Sequence, residues 1–446
     1  MQLTRRYFLQ ASGAVAVYLG VAPFNVLARG AAPAAGAAPG PGPADPLPLV
    51  AGGKTLVVLF LRGGADGLNL VVPHGDPGYY DLRKTIAIAR PSVAADTSAL
   101  DLDGFFALHP RLKPLMPHFA SSLAVAAHAV GYDKNTRSHF EEQDTWETGI
   151  IGNTLNSDGW LNRHLATSQG RGPLRAISIG ESLPRILHGR AQAVAMRGID
   201  DLNLPVGKAS QDAVTAALEH AYCCDPSQRQ ALRGPAMDLL SQSAQMTLDG
   251  VKQIRAIASQ KYAASAEYPK SGLAGKLMQV ARLIKANVGL EVAQVDLGGW
   301  DTHNGQGGAA GQFANLAGEL AEGLDAFARD LGDKMEDVVV VTLTDFGRTA
   351  GENGTQGTDH GWANCMLLLG GAVQRANKAA ESGGTARKVV TKWPGLAPDQ
   401  LHQKRDLLHT TDFRDVLGEL VTKHLGNQNL KAVLPNHEFK AVGLVA

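Results

Sequence analysis

Residues 337–348 read Asp-Val-Val-Val-Val-Thr-Leu-Thr-Asp-Phe-Gly-Arg, and this stretch decides the fold. Its run of mostly β-branched apolar residues predicts a strand over 337–343 that is buried on both faces. The run closes in an acid and a glycine, Asp345 and Gly347, as a central strand of a parallel sheet does before its turn. The segment therefore predicts a parallel sheet with functional residues at the strand ends.

The same pattern recurs on the amino-terminal side of this strand. Residues 54–61 form an apolar run that closes in Arg62-Gly-Gly-Ala-Asp66-Gly, and residues 291–297 form another that closes in Gly-Gly-Trp-Asp301-Thr-His303. Alternation of such strands with helical segments predicts a doubly wound, mostly parallel α/β sheet. The further predicted elements are strands over 122–129, 175–180, 191–197 and 365–370, helices over 273–287, 311–333 and 411–425, and a helical insertion over about 200–290.

The composition limits the classes of function. With 446 residues, 44% of them hydrophobic and 19% charged, the chain is long and apolar enough for a sizeable core, which excludes wholesale disorder. Lys plus Arg and Asp plus Glu are 42 each, so no basic excess exists to attract nucleic acid or an anionic membrane. Three cysteines, Cys223, Cys224 and Cys365, exclude a disulfide scaffold.

The first 28 residues have the layout of a twin-arginine signal peptide. Arg5 and Arg6 precede an apolar stretch over 11–19, and Val26-Leu-Ala28 offers a cleavage site between small residues. The stretch is shorter than the ~20 residues of a transmembrane helix. An uncleaved anchor and an ordinary amphipathic helix are the alternatives.

The predicted signal implies an exported protein. Residues 29–48 are almost all Ala, Gly and Pro and predict a tether, and residues 49–446 are expected to form one large domain. We expect the Tat translocon to be a partner during export to the periplasm or the cell exterior, with no stable transmembrane span after cleavage. Removal of 1–28 removes two arginines and no acid, which leaves a net charge of −2.

Acids and histidines concentrate in the turns at the ends of the predicted strands. Asp66, Asp301 and Asp345 follow three strands, and His303 and His360 lie beside acids in similar turns. Because ligands of open α/β sheets bind beyond the carboxyl ends of the strands, we expect these side chains to converge. Carboxylates combined with imidazoles suit Zn, Mn or Fe, whereas Mg or Ca prefers more oxygen ligands. Each residue also has a structural interpretation as a helix cap, a turn residue or an ion-pair partner.

The segment 136–143, Thr-Arg-Ser-His-Phe-Glu-Glu-Gln, is a second candidate site. A hydroxyl residue followed by acids is typical of a helix start, which would make Thr136 or Ser138 an N-cap. Alternatively, the Ser138 hydroxyl is activated at the helix N-terminus and attacks a phosphorus or sulfur centre. Arg62 and Arg348 would then bind the anionic oxygens.

Five motifs together resemble a known family. They are Leu-Arg-Gly-Gly-Ala-Asp-Gly-Leu-Asn (61–69), Arg-Ser-His-Phe-Glu-Glu-Gln-Asp (137–144), Gly-Gly-Trp-Asp-Thr-His (298–303), Thr-Asp-Phe-Gly-Arg-Thr (344–349) and Gly-Thr-Asp-His-Gly (357–361). In this order they resemble the bacterial twin-arginine-exported family known as domain of unknown function 1501, over nearly all of the chain after the tether. That family is grouped by resemblance with the alkaline phosphatase and sulfatase superfamily, which implies a three-layer α/β/α sandwich with metal ligands at strand ends.

The resemblance also implies which residues bind metal. The implied ligands are Asp66, Asp301, His303, Asp345 and His360, with Asp359 as a possible extra ligand. Phe346 stands where the superfamily's Ser-Asp-His-Gly turn has a histidine, and Ser138 matches its nucleophile region only loosely. One or two divalent ions, Zn, Mn or Ca, are the expected cofactors.

Two hypotheses of different classes follow. The first is an exported metal-dependent hydrolase of phosphate or sulfate esters, which acts on a small anionic ester or a glycan-linked substrate with Ser138 or a water on the metal as nucleophile. The second, motivated by Phe346, is a non-catalytic envelope protein that binds a glycan, lipid or other partner through the same cleft. An exported oxidoreductase is a third reading, which no cysteine cluster, haem motif or dinucleotide fingerprint supports.

Overall fold

The computed structural model describes residues 53–152, 157–170, 172–201, 235–383 and 387–446. The predicted signal peptide (1–28) and tether (29–48) lie outside the described residues, as do Cys223, Cys224 and the first part of the predicted insertion. None of the helices in these described ranges has the length and apolar character that a membrane crossing requires.

The strands form one large sheet and one small one. In chain order the strands are β1 Thr55–Leu61, β2 Val71–Val72, β3 Leu100–Asp101, β4 Ala107–Leu108, β5 Ala124–Gly131, β6 Ala176–Ile179, β7 Val194–Met196, β8 Val292–Leu297, β9 Val338–Thr344, β10 Asn364–Gly370, β11 Val389–Val390 and β12 Thr411–Asp412. The large sheet has nine strands in the order β11-β5-β10-β9-β1-β8-β6-β7, with β12 beside β5. Strands β2, β4 and β3 form a small antiparallel sheet.

The large sheet is parallel except at one strand. β1 pairs in parallel with both β8 and β9, whereas β10 lies antiparallel between β9 and β5. The predicted mostly parallel sheet is therefore confirmed, and the predicted runs 54–61, 291–297 and 337–343 coincide with β1, β8 and β9 to within one residue. Because β10 runs against its neighbours, the residues before it lie at the edge where the parallel strands end.

Helices cover both faces of the sheet. They are α1 Gly67–Leu70, α2 Pro77–Leu82, α3 Met116–Ala120, α4 His139–Thr148, α5 Trp160–Thr167, α6 Pro235–Ala258, α7 Gly272–Lys285, α8 Gln312–Leu331, α9 Gly371–Ser382, α10 Phe413–Glu419 and α11 Leu430–Val433. Alternate residues of β1 face two separate apolar cores. Val57 and Leu59 pack in the core that holds α7 and α8, and Leu56 and Val58 pack in the core that holds α5 and α10. The result is the expected three-layer α/β/α architecture.

Candidate metal centre

Five loops meet at the carboxyl edge of the large sheet. Four follow β1, β5, β8 and β9, and the fifth precedes the antiparallel strand β10. Glycines allow the loops to approach closely: Gly63 has φ of +115°, and a Cβ there would lie 2.6 Å from the backbone nitrogen of Asp301. At Gly347 a Cβ would lie 1.7 Å from the carbonyl oxygen of Ala363, so a side chain at either position would push the loops apart.

Three imidazoles and one carboxylate converge in these loops. His139, Asp301 and His360 each offer a ligand atom, and these atoms lie within 4.8 Å of one another. The Asp301 Oδ1 atom is 3.4 Å from His139 Nε2 and 3.2 Å from His360 Nε2. His303 adds a fourth atom, with its Nε2 3.0 Å from the same oxygen and 2.9 Å from His360 Nε2. The predicted residues Asp301, His303 and His360 are thus brought together.

The other ring nitrogen of each histidine faces a hydrogen-bond acceptor. His139 Nδ1 lies 2.6 Å from the buried carboxylate of Asp345, and His303 Nδ1 lies 3.1 Å from that of Asp359. His360 Nδ1 lies 2.8 Å from the carbonyl oxygen of Arg137. An acceptor at Nδ1 places the proton there and leaves a lone pair on Nε2, the arrangement that metal-binding histidines adopt.

The Nε2 atoms have few other partners. His139 Nε2 is buried and makes no hydrogen bond. His303 Nε2 and His360 Nε2 face each other. When both Nδ1 atoms carry protons, both Nε2 atoms present lone pairs, and only a shared cation or an added proton can lie between them favourably. Ligands that share one tetrahedral zinc at ~2.0–2.2 Å lie roughly 3.3–3.6 Å apart, close to the separations of these atoms from Asp301. His139, Asp301 and His360 therefore fit a divalent metal of the zinc class, and His303 lies beside them with its Nε2 3.0 Å from Asp301.

The electrostatic environment differs between the ligands. The hydrogen bond with Asp345 raises the pKa of His139 above its ordinary value and outweighs the effect of burial. Burial lowers the pKa of His360, and the charges of Arg348 and His139 lower it further. Burial tends to raise the pKa of Asp301, but the hydrogen bond and charge of Arg348 bring it below the ordinary value. At neutral pH the cluster therefore holds an ionised Asp301 and a neutral His360.

Phe346 forms part of the support for the imidazoles. Its fully buried ring has its centroid 4.8 Å from that of His139 and 4.5 Å from that of His360. A phenylalanine at this position supplies no ligand atom. It fixes the orientation of the two imidazoles by packing against both.

The predicted ligands Asp345 and Asp359 contact histidines. Asp345 also accepts hydrogen bonds from Gln143 Nε2, at 2.9 Å, and from the backbone nitrogen of Gly63, at 3.2 Å. Asp359 accepts from Asn353 Nδ2 at 3.0 Å, and its carboxylate is half exposed. Both acids therefore lie where a carboxylate orients a metal-binding histidine.

The structure does not bring Asp66 into the cluster. Its buried carboxylate receives both terminal nitrogens of the buried Arg83, at 2.5 and 3.0 Å, and the Gln306 Nε2 atom at 2.6 Å. Gln306 in turn accepts hydrogen bonds from Thr302 and Thr358, which precede His303 and His360 by one and two residues. Through Gln306, Asp66 thus stabilises the loops that carry His303 and His360.

Neither arginine predicted to bind anionic oxygens is free in the structure. Arg348 is buried and donates to Asp301 Oδ1 at 2.7 Å and to the carbonyl oxygens of four residues. These four are Gly63, Gly64, Trp300 and Thr358. Arg62 donates to Asp296, Gln143 and Glu147. Arg348 therefore holds the loops together, and Arg62 ties β1 to helix α4 and strand β8.

Ser138 occupies the N-cap position of α4 but does not cap the helix with its side chain. The residue before it, Arg137, has a left-handed backbone with φ of +60°, an uncommon conformation for a residue with a side chain. The Ser138 side chain makes no capping hydrogen bond, and Ser138 directly precedes His139 in the chain. The cap interpretation is therefore not supported, and the nucleophile interpretation stays a prediction.

His139 belongs to the cluster, and the sequence does not predict it as a ligand. Segment 136–143, which contains it, predicts either an N-cap at Thr136 or Ser138 or a Ser138 nucleophile at the helix N-terminus, and neither interpretation uses His139 as a ligand. The position of His139 in the sequence could have indicated its role. It opens a helix soon after a central strand, at the edge where the other candidates lie.

Comparison with known protein families places the chain in one of them. A family model described as "Protein of unknown function (DUF1501)" matches residues 105–433, well over half of the chain. The matched region contains His139, Asp301, His303 and His360. The comparison with curated proteins finds no match.

Proposed function

Because this chain belongs to the DUF1501 family, a family described without a function, we propose a function from its own residues: a metal-dependent hydrolase of phosphate or sulfate esters. The observation that carries the proposal is the convergence of three imidazole Nε2 atoms on one carboxylate oxygen, with each Nδ1 facing an acceptor.

The donor set favours one ion of the zinc class. Three nitrogens and one oxygen suit Zn²⁺ or Mn²⁺ better than Ca²⁺, which takes six to eight oxygen ligands. Among the residues that the structure describes, His139, Asp301 and His360 form the one group that could hold a metal ion, with ligand atoms within 4.8 Å of one another. When bound, such an ion would polarise the ester and lower the pKa of a water.

The chain's own residues supply the remaining functions. Asp345 holds His139 in the ligating tautomer, and Arg348 holds Asp301 at the cluster. The ligand side chains are partly exposed, with 45% of Asp301 accessible, so an ester can reach them. The Ser138 hydroxyl or a water attacks the phosphorus or sulfur atom, the ester P–O or S–O bond breaks, and one water is consumed overall to release an alcohol and an oxyanion.

The proposal includes export and superfamily membership. Arg5 and Arg6 in the amino-terminal segment support passage through the Tat translocon to the periplasm or beyond. The three-layer fold with its ligands at the carboxyl edge supports kinship with the alkaline phosphatase and sulfatase superfamily. Assay of aryl phosphates and aryl sulfates with added Zn²⁺ or Mn²⁺ tests the activity, and absence of both metal binding and turnover would contradict it.

Asp345→Asn is expected to weaken Zn²⁺ binding by about 10–100-fold, the usual cost of removing a carboxylate behind a ligating histidine. An amide at this position can donate to His139 Nδ1 and so place the proton on Nε2, which then cannot bind metal. Competition with a chromophoric chelator measures the affinity. The matched control is Asp325→Asn, since Asp325 accepts from His118 Nε2 at 3.0 Å in a similar pair outside the site. Equal affinity in the two variants would contradict the assigned role.

Zn²⁺ affinity is also expected to fall on acidification, beginning above the ordinary histidine pKa of about 6.5. The reason is that Asp345 raises the pKa of His139, so the metal-free protein holds a proton that the metal must displace. The affinity should fall by up to tenfold for each pH unit below that pKa. Titrations between pH 8 and pH 5.5 measure the effect, and the onset should move to lower pH in Asp345→Asn. An unchanged affinity across this range would refute the competition.

A second candidate function is binding of a glycan without turnover. Phe140 follows His139 in the first turn of α4 and is 89% exposed, which suits stacking on a sugar ring. On this alternative, saccharide binding is lost in Phe140→Ala and no ester is hydrolysed by the metal-loaded protein. Turnover that depends on the metal would exclude it.

A further inference from the structure

Two arginines beside the candidate centre share a single carboxylate. Asp406 is fully buried and receives Arg137 Nη2 at 2.6 Å and Arg405 Nε at 3.0 Å. The two guanidinium groups share this one buried carboxylate, in a part of the protein where water does not fully screen their charges. We refer to Arg137 and Arg405 with Asp406 as the arginine pair.

The arginine pair is attached directly to a metal-ligand candidate. Arg405 Nη2 donates to the carbonyl oxygen of His360 at 2.7 Å, and His360 Nδ1 donates to the carbonyl oxygen of Arg137 at 2.8 Å. Both arginines therefore belong to the wall of the centre, and an anion bound by them lies next to an ester held at His360.

The arginine pair has donors left over. Within the described ranges, neither Arg137 nor Arg405 has a hydrogen-bond partner at Nη1, and the buried Arg137 Nε also makes no hydrogen bond. The side chains of Arg137 and Arg405 are 24% and 46% exposed, whereas the Arg137 Nε atom is buried, so the Nη1 groups are the donors that a solute would meet. Arg137 is held in place by the Trp362 ring, 5.4 Å below its guanidinium.

We propose that the arginine pair is an anion-binding subsite, which takes a phosphate or sulfate group of the substrate other than the ester that is cleaved. Planar guanidinium forks match the oxygens of such groups, and a bound oxyanion would accept hydrogen bonds from the unpartnered Nη1 donors. This inference rests on the proposed function in that it identifies the substrate class: a compound with at least two anionic groups, such as a multiply sulfated or phosphorylated saccharide.

Titration calorimetry of the full chain, freed of metal by a chelator, tests the subsite with inorganic phosphate and inorganic sulfate as probes. The wild-type protein is expected to bind at least one of them. Arg405→Gln is expected to bind the same anion about tenfold more weakly or weaker still, which is the effect of removing one charge-assisted partner. Arg405→Lys, which keeps the charge, should retain part of the affinity. The matched control is Arg329→Gln, because Arg329 is an exposed arginine paired with Asp325 away from the site.

The outcomes separate this inference from the proposed function. No anion binding by the metal-free wild-type protein, or equal affinity in Arg405→Gln and Arg329→Gln, would overturn the subsite, whatever the metal affinity. Anion binding that is lost in Arg405→Gln while Zn²⁺ affinity stays within about twofold supports it. Anion binding without any Zn²⁺ binding would support the subsite and refute the metal centre.

Discussion

His360→Ala is expected to weaken Zn²⁺ binding by about 100-fold or more and to abolish measurable ester hydrolysis. Protein zinc sites bind with ~10–16 kcal/mol, which divides over four ligands as roughly 2.5–4 kcal/mol each, and 1.4 kcal/mol is tenfold. His360 Nε2 lies inside the cluster, 2.9 Å from His303 Nε2 and 3.2 Å from Asp301 Oδ1. Direct calorimetry, or competition with a chelator, gives the affinity.

The control for this variant is His118→Ala. His118 is also a largely buried histidine paired with a carboxylate, Asp325, but it lies in α3, before the amino end of β5. Its loss should leave Zn²⁺ affinity unchanged. Circular dichroism and a denaturation midpoint establish that both variants fold. Full Zn²⁺ affinity in a folded His360→Ala protein would show that His360 does not bind the metal.

Asp66→Ala is expected to lower the free energy of unfolding by about 3–5 kcal/mol, the cost of removing one partner from a buried ion pair. Arg83 is fully buried, and without Asp66 its charge keeps only Asn69 and two backbone carbonyls as acceptors. Denaturant unfolding measures this loss of stability. The Zn²⁺ affinity of the Asp66→Ala protein should fall far less than that of the His360→Ala protein.

The control for Asp66 is Asp337→Ala. Asp337 also pairs with a basic side chain, Lys54 at 2.6 Å, but both are exposed, so about 0–1 kcal/mol is expected. The two interpretations of Asp66 give opposite results. A metal ligand would show a large loss of Zn²⁺ affinity with little loss of stability, whereas a structural acid shows the reverse.

The sheet and part of the site were predictable from the sequence because they depend on local patterns. The apolar runs before Asp301 and Asp345 have no helical period, so their strand character and their place at the carboxyl edge follow from the sequence. Asp301, His303 and His360 were predicted as ligands because acids and histidines recur together in the glycine-rich turns at several strand ends, although each alone has a structural interpretation.

The roles of the other residues depend on contacts between distant segments. Asp66 and Asp345 have the same sequence context, an acid in a glycine-rich turn, yet one pairs with Arg83 and the other with His139. Which partner an acid meets is decided by loop packing, which a pattern of one segment does not contain. For the same reason Arg348 was predicted to bind substrate oxygens, whereas its donors are used by the loops themselves.

The reversed direction of β10 has a consequence for when the site can form. His360 reaches the cluster only after β10 is inserted between β5 and β9, and its fellow ligands come from residues as far away as His139. On the proposed metal site, the ligand set is therefore complete only once β10 (Asn364–Gly370) is in place, and a chain with 360 residues synthesised still lacks the strand that fixes the last imidazole. A transport route for folded proteins, which Arg5 and Arg6 predict, would then carry the centre already assembled, with its metal chosen before departure.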